Sequence, residues 1–229
     1  SESVEPSESS LPIRPKSKKG FFNANPLIKN LFNYFILPGI ILMYLDKNEQ
    51  NLDFIYCDNK LNTTNTILKS LALHEIKRIN FFIIEYDHEE ANNQQLEITR
   101  LAETDDNYKN IKVIEGDLKE QIKLLKSDNK FIYADACGSE EDLESHPYKG
   151  SWPIYHQDLV KISKSDIVVG TYSLHDRHPY SYLGRGLKDY KTITYEYGIK
   201  TIMKTYISIK NDIYRNWKQE YISKPDSKE

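Results

Sequence analysis

Apolar and polar residues follow two periods along this chain, and each change of period marks an element. The clearest stretch runs from Ile111 to Ser139. Ile111-Lys112-Val113-Ile114 is a short β-branched run that stops at Glu115-Gly116-Asp117. Leu118, Ile122 and Leu125 then recur at i, i+4 and i+7, one face of an amphipathic helix. Ser127-Asp128-Asn129 breaks that helix, and Phe131 to Ala134 forms the next strand, ending at Asp135. Two strands joined by a crossover helix of this length are expected to be parallel and connected right-handedly. Each delivers a carboxylate at its C-terminal end, the edge at which open α/β sheets bind ligands.

The same reading extends in both directions. Leu52 to Cys57 is a strand ending at Asp58, and Phe81 to Ile84 another ending at Glu85. Between them Thr63 or Thr64 can cap a helix reaching about Lys77, with Ile67, Leu68, Leu71 and Ile76 as its apolar side. His88 to Ala102 reads as a more polar helix, and Asp105-Asp106-Asn107 as the loop after it. Beyond Asp135 an irregular segment carries Pro147, Gly150 and Pro153; Tyr155 to Ile162 reads as a helix and Asp166 to Thr171 as a fifth strand. Lys191 to Tyr197 and Lys200 to Ile209 alternate around Gly198 like two antiparallel strands, and Asp212 to Ile222 like a closing helix. Upstream, Pro26 to Phe35 reads as a helix with Leu27, Leu31, Tyr34 and Phe35 on one face. Pro38-Gly39 is expected to separate it from a second apolar segment. The organisation implied is a tail over residues 1–20, one α/β domain over 21–222 and a short tail over 223–229.

Composition narrows the function classes. A chain of 229 residues can bury one sizeable core. Its net charge of −3 supplies no global attraction to nucleic acid, so such contact would need a local patch. Arg14, Lys16, Lys18 and Lys19 form one, in a Ser-, Glu- and Pro-rich tail expected to be disordered or bound to a protein or nucleic-acid partner. Two cysteines, Cys57 and Cys137, make neither a disulfide framework nor a zinc motif. The apolar run from Leu31 to Leu45 falls short of the roughly 20 residues a span needs and reads as buried. A cytoplasmic location is expected, with a cleaved organellar presequence as the alternative.

Candidate chemistry gathers at the strand ends. His175 and His178 have the spacing of one helical face, but no third zinc ligand stands at a convincing distance and Pro179 favours a loop. Its position after the fifth strand makes His175 the candidate general base. Gly184-Arg185-Gly186 is a weak phosphate-loop signal that reads better as a turn. Asp58 with Glu75-Ile76-Lys77 imitates a nuclease metal motif, yet that chemistry needs Glu75 and Lys77 on a strand, and here they end a helix.

Five strands separated by helices and followed by an antiparallel pair resemble the plan of class I S-adenosylmethionine-dependent methyltransferases. The fold this implies is a mostly parallel Rossmann-like sheet with helices on both faces. Within the plan, Glu85 in IIEYD matches the acid that grips the ribose hydroxyls, and Asp117 in IEGD the residue that approaches the adenine amino group. Asp58 and Asn59 would meet the methionine end, while Asp135 and His175 would face the acceptor. Asp135-Ala136-Cys137-Gly138 resembles the Asp-Pro-Phe-Gly of the three-Cys-motif partner group of bacterial proteins. The family's Gly-rich loop after the first strand is missing: Asp58 to Asn65 reads DNKLNTTN. Side chains there are expected to keep φ negative at most positions, with Leu61 or Asn62 crowding the cofactor space. Two functions follow. One is methyl transfer from S-adenosylmethionine to nucleic acid or protein, put in question by the absent glycines. The other is a non-catalytic Rossmann-like subunit or scaffold of a larger assembly.

Overall fold

Strands built from β-branched and aromatic residues set the frame. In the computed structural model the residues described are 36–125, 130–136, 152–174, 187–197 and 202–223. Among the described residues seven strands form one sheet: β1 (Leu52–Tyr56), β2 (Ile79–Glu85), β3 (Ile111–Glu115), β4 (Lys130–Ala136), β5 (Ile167–Leu174), β6 (Tyr190–Tyr197) and β7 (Ile202–Lys210). Their order is β3-β2-β1-β4-β5-β7-β6. β1 to β5 pair in parallel, and β7 lies antiparallel to both β5 and β6. β3 and β4 are thus parallel, as expected, but β2 and β1 lie between them. The chain order reverses between β1 and β4, and at such a switch point the carboxyl ends of the strands open a crevice.

Successive strand residues point to opposite faces, so the sheet carries two cores. On one face Phe54, Tyr56, Phe81, Ile83, Phe131 and Tyr133 pack under α1 (Leu37–Lys47) and α2 (Asn62–Ser70), joined by Ile98 of α4 (His88–Ala102). Phe54 sits in register with Phe81 and Phe131, its ring centroid 6.0 and 5.4 Å from theirs in edge-on contacts. The other face buries Ile55, Ile84, Ile132 and Val168 beneath α5 (Leu118–Leu124) and α6 (Trp152–Ser163). α7 (Asn211–Ser223) follows β7, and its Trp217 and Tyr214 join the first core.

Several element boundaries differ from the sequence expectation. Pro38 and Gly39 do not interrupt the apolar segment but lie at the start of α1, where a missing N–H is tolerated. The helix expected from Thr63 to Lys77 is broken: α2 ends at Ser70, Leu71 and Ala72 are extended, and a short α3 (Leu73–Ile76) follows. Ile76, nine residues after Ile67, would lie on about the opposite side of an unbroken helix. The break lets both bury, Ile67 at 0% and Ile76 at 2% exposure. Helix α4 starts and stops as its pattern predicted, opened by the Asp87 side chain accepting from the Glu90 N–H. Long-range contacts anchor α1: Tyr44 donates to Asp166, and Arg78 donates to the carbonyls of Leu45 and Asn48 at its C-terminal end. The expected helix over 26–35 and the basic segment over 14–19 lie outside the described residues. No helix among the described residues is long and apolar enough to cross a membrane.

Candidate functional site

The four acid-bearing strand ends lie in one row, because the strands run in parallel and in the order β3, β2, β1, β4. Asp117, Glu85, Asp58 and Asp135 therefore follow one another along the C-terminal edge. Glu85 is paired in register with Glu115, and Asp135 with Thr171. His175 lies outside the described residues, as do Cys137 and Arg185. Among the described residues no group of three His, Cys, Asp or Glu is arranged to hold a metal.

Asp58 is 7% exposed, and its carboxylate is committed to the loop that follows. It accepts from the N–H groups of Asn59, Thr63 and Thr64 at 2.8, 2.9 and 2.9 Å and from the Thr64 hydroxyl at 2.6 Å. With the Thr64 proton so directed, Tyr56 donates its own to Thr64 Oγ1, 2.6 Å away. Burial pushes the Asp58 carboxyl above its ordinary range, opposed by these hydrogen bonds. Burial also raises the Tyr56 phenol, and the Asp58 charge adds to that shift. The cap of α2 is thus Asp58, not Thr63 or Thr64 as the sequence suggested, since Leu61 at the N-cap position has no polar side chain.

The loop turns by a route that its sequence disfavours. Lys60 and Leu61 are both left-handed, at φ 51° and 58°, although neither is glycine or asparagine. Leu61 is 3% exposed and belongs to the first core, while Asn62 is solvent-exposed. Asn59 is exposed as well, and its carbonyl accepts from the Asn62 N–H at 3.0 Å.

Glu85 is 7% exposed at the end of β2, with Oε1 accepting from the Asp87 N–H at 3.0 Å. Its carbonyl accepts from Gly116 at 2.9 Å, tying the ends of β2 and β3 together. Gly116 has φ 151°, and a Cβ there would stand 2.6 Å from Gln121 Nε2. Next to it Asp117 caps α5, with Oδ1 accepting from Lys119 and Glu120 at 3.0 and 3.2 Å. Across the same edge the exposed His88 pairs with Glu115 at 2.8 Å, and that carboxylate raises the imidazole above its ordinary value.

Two groups went unnoticed in the sequence. Lys119, 3% exposed beside Asp117, rests its ammonium 4.4 Å from the Tyr155 ring centroid and 3.5 Å from Asp158. Burial lowers it to about 8, against the pull of Asp158. Gln94 is 2% exposed on α4 and donates to the Asp58 carbonyl at 3.1 Å. Its signal was a carboxamide on the apolar stripe between Ala91 and Ile98, where a hydrocarbon side chain is the norm.

No family model matches the sequence, and no curated protein matches it either. Solved structures do resemble the fold. The carbon methyltransferase CurJ superposes with a TM-score of 0.50 at 11% identity, over 82% of this chain and 56% of that one. Spermidine synthase from Thermotoga maritima gives 0.46 at 15% identity, over 87% and 65%. The 23S rRNA methyltransferase ErmE gives 0.44 at 10%, over 76% and 67%. This chain therefore spans less than two thirds of the length of the first two. The likeness is one of fold: a methyltransferase-type, Rossmann-like α/β sheet with a C-terminal antiparallel pair.

Proposed function

We propose that this protein binds S-adenosylmethionine at the C-terminal edge of β1 to β3 and transfers its methyl group to a nucleic acid or protein. The carrying observation is the left-handed pair Lys60-Leu61. It makes a tight turn after β1 without glycine and takes the Leu61 side chain into the core, which supports this reading despite the missing glycines. Bound S-adenosylmethionine supplies an electrophilic methyl group on a sulfonium centre. In this reading Glu85 accepts from the ribose hydroxyls, and Asp117 accepts from the adenine amino group. Asn59 and the loop backbone meet the methionine end, while the Asp58 carboxylate keeps the loop in shape. Asp135 faces the acceptor.

Calorimetric titration with S-adenosylmethionine tests this. A micromolar site is expected, weakened about 10- to 100-fold by Glu85→Ala, the value of hydrogen bonds to a charged group. No heat at millimolar ligand rejects the reading. A second function, a non-catalytic subunit or scaffold, draws on a specific observation: Asp58 and Asp117 both serve as helix caps. Silence in that titration, together with co-purification of a stoichiometric partner, favours it.

A further inference from the structure

Two successive left-handed residues without glycine need an outside constraint to persist. Part of it is local, in the buried Leu61 and in the Asp58 carboxylate. The rest comes from across the sheet edge. Gln94 Nε2 donates to the Asp58 carbonyl at 3.1 Å and to Glu90 Oε1 at 3.2 Å. Exchanging its amide nitrogen and oxygen would set an acceptor against two acceptors, so the orientation is determined. Gln94 Oε1 is buried and accepts no hydrogen bond among the described residues. A leucine would fill this place on the apolar stripe without burying an orphan acceptor. Packing alone therefore does not account for a carboxamide here, whereas the two bonds from Nε2 do.

From these contacts we infer that Gln94 is a positioning residue that stands in for the missing glycines. By holding the Asp58 carbonyl against α4 it keeps Lys60 and Leu61 left-handed, and so presents the loop backbone to a ligand in one fixed shape. Glycine permits such a turn by lacking a Cβ. This chain enforces it instead through a hydrogen bond from a residue 36 positions away. The ligand part of the inference rests on the functional reading above; the loop part does not.

Amide hydrogen exchange on the full chain tests the loop part. In Gln94→Leu the amides of Thr63 and Thr64 should exchange at least tenfold faster, while those of Ile55 and Phe131 in the sheet keep their protection. Adding Lys60→Gly should restore most of that protection, because glycine reaches the left-handed region without strain. Unchanged exchange in Gln94→Leu, or no recovery with the added glycine, overturns the proposal. Should Gln94→Leu fail to fold, Gln94→Glu decides. A protonated carboxyl can donate to the Asp58 carbonyl and an ionised one cannot, so loop protection relative to the unaltered protein should fall as that carboxyl ionises. A pH-independent difference overturns the proposal. Affinity for S-adenosylmethionine should drop at least tenfold in Gln94→Leu and return with Lys60→Gly. If the unaltered protein takes no S-adenosylmethionine, the functional reading falls and exchange alone decides the role of Gln94.

Discussion

Gly116 and the Lys60-Leu61 pair solve the same problem with opposite means. At φ 151° Gly116 occupies a region that side chains rarely enter, and its N–H must still reach the Glu85 carbonyl. Gly116→Ala is expected to lose about 1 to 3 kcal/mol, the usual strain at such a position. Urea unfolding measures it, and an unchanged midpoint would show that the β3 turn relaxes freely. Lys60 and Leu61 reach the left-handed region by force. The burial of Leu61 and the bonds around Asp58 supply that force.

At the scale of elements, α2 is a helix with its cap displaced. Leu61 cannot accept from the first-turn N–H groups, so Asp58 reaches forward across the loop to Thr63 and Thr64. Asp58→Ala should therefore destabilise by about 2 kcal/mol, combining a lost cap with buried N–H groups left unpaired. Asp58→Asn should recover part of this, since its carbonyl oxygen still accepts. Thermal melting of the two variants distinguishes the cases, and equal losses would mean that the charge, rather than the acceptor, is what α2 requires. The same contacts explain why a carboxylate so desolvated is retained: it closes the turn, caps the helix and orients Thr64 and Tyr56 together.

Across the whole molecule, α6 is pinned to the antiparallel end of the sheet by a buried polar chain. His156 Nε2 lies 2.9 Å from Ser208 Oγ, which lies 2.8 Å from Thr192 Oγ1. Burial lowers the His156 imidazole to about 3, so it is neutral in the fold while the unfolded chain titrates near 6.5. Between those values the unfolded state binds the extra proton. Stability from this group is thus complete above about 6.5 and falls as pH drops toward 3, by up to about 1.4 kcal/mol per pH unit. Asp58 acts in the opposite sense, its raised carboxyl favouring the fold as pH falls. Comparing His156→Gln with the unaltered protein isolates the histidine. Urea midpoints between about pH 4 and 7 should vary less steeply in the variant, and parallel curves would show that His156 does not set the acid limb.

Local periodicity determined much of this protein. The strand runs, the polar helix from His88 to Ala102 and the acids at or beside the strand ends were legible, because each depends on neighbours a few residues apart, although β4 runs past Asp135 to Ala136 rather than stopping there. The row of acids followed, since parallel strands joined by crossovers must end at one edge. What the sequence did not carry was which distant groups meet. Whether Asp58 caps a helix or stands open to a ligand depends on a turn at Lys60 and Leu61 that no propensity favours. That turn is held by Leu61 entering the core and by Gln94 arriving from another helix. The break at Leu71 likewise arose from the need to bury Ile67 and Ile76 together, a demand made by the sheet beneath rather than by the helix itself. Propensity is a property of short windows, whereas strain of this kind is tolerated only when contacts distant in sequence outweigh it, and those exist only once the chain has folded.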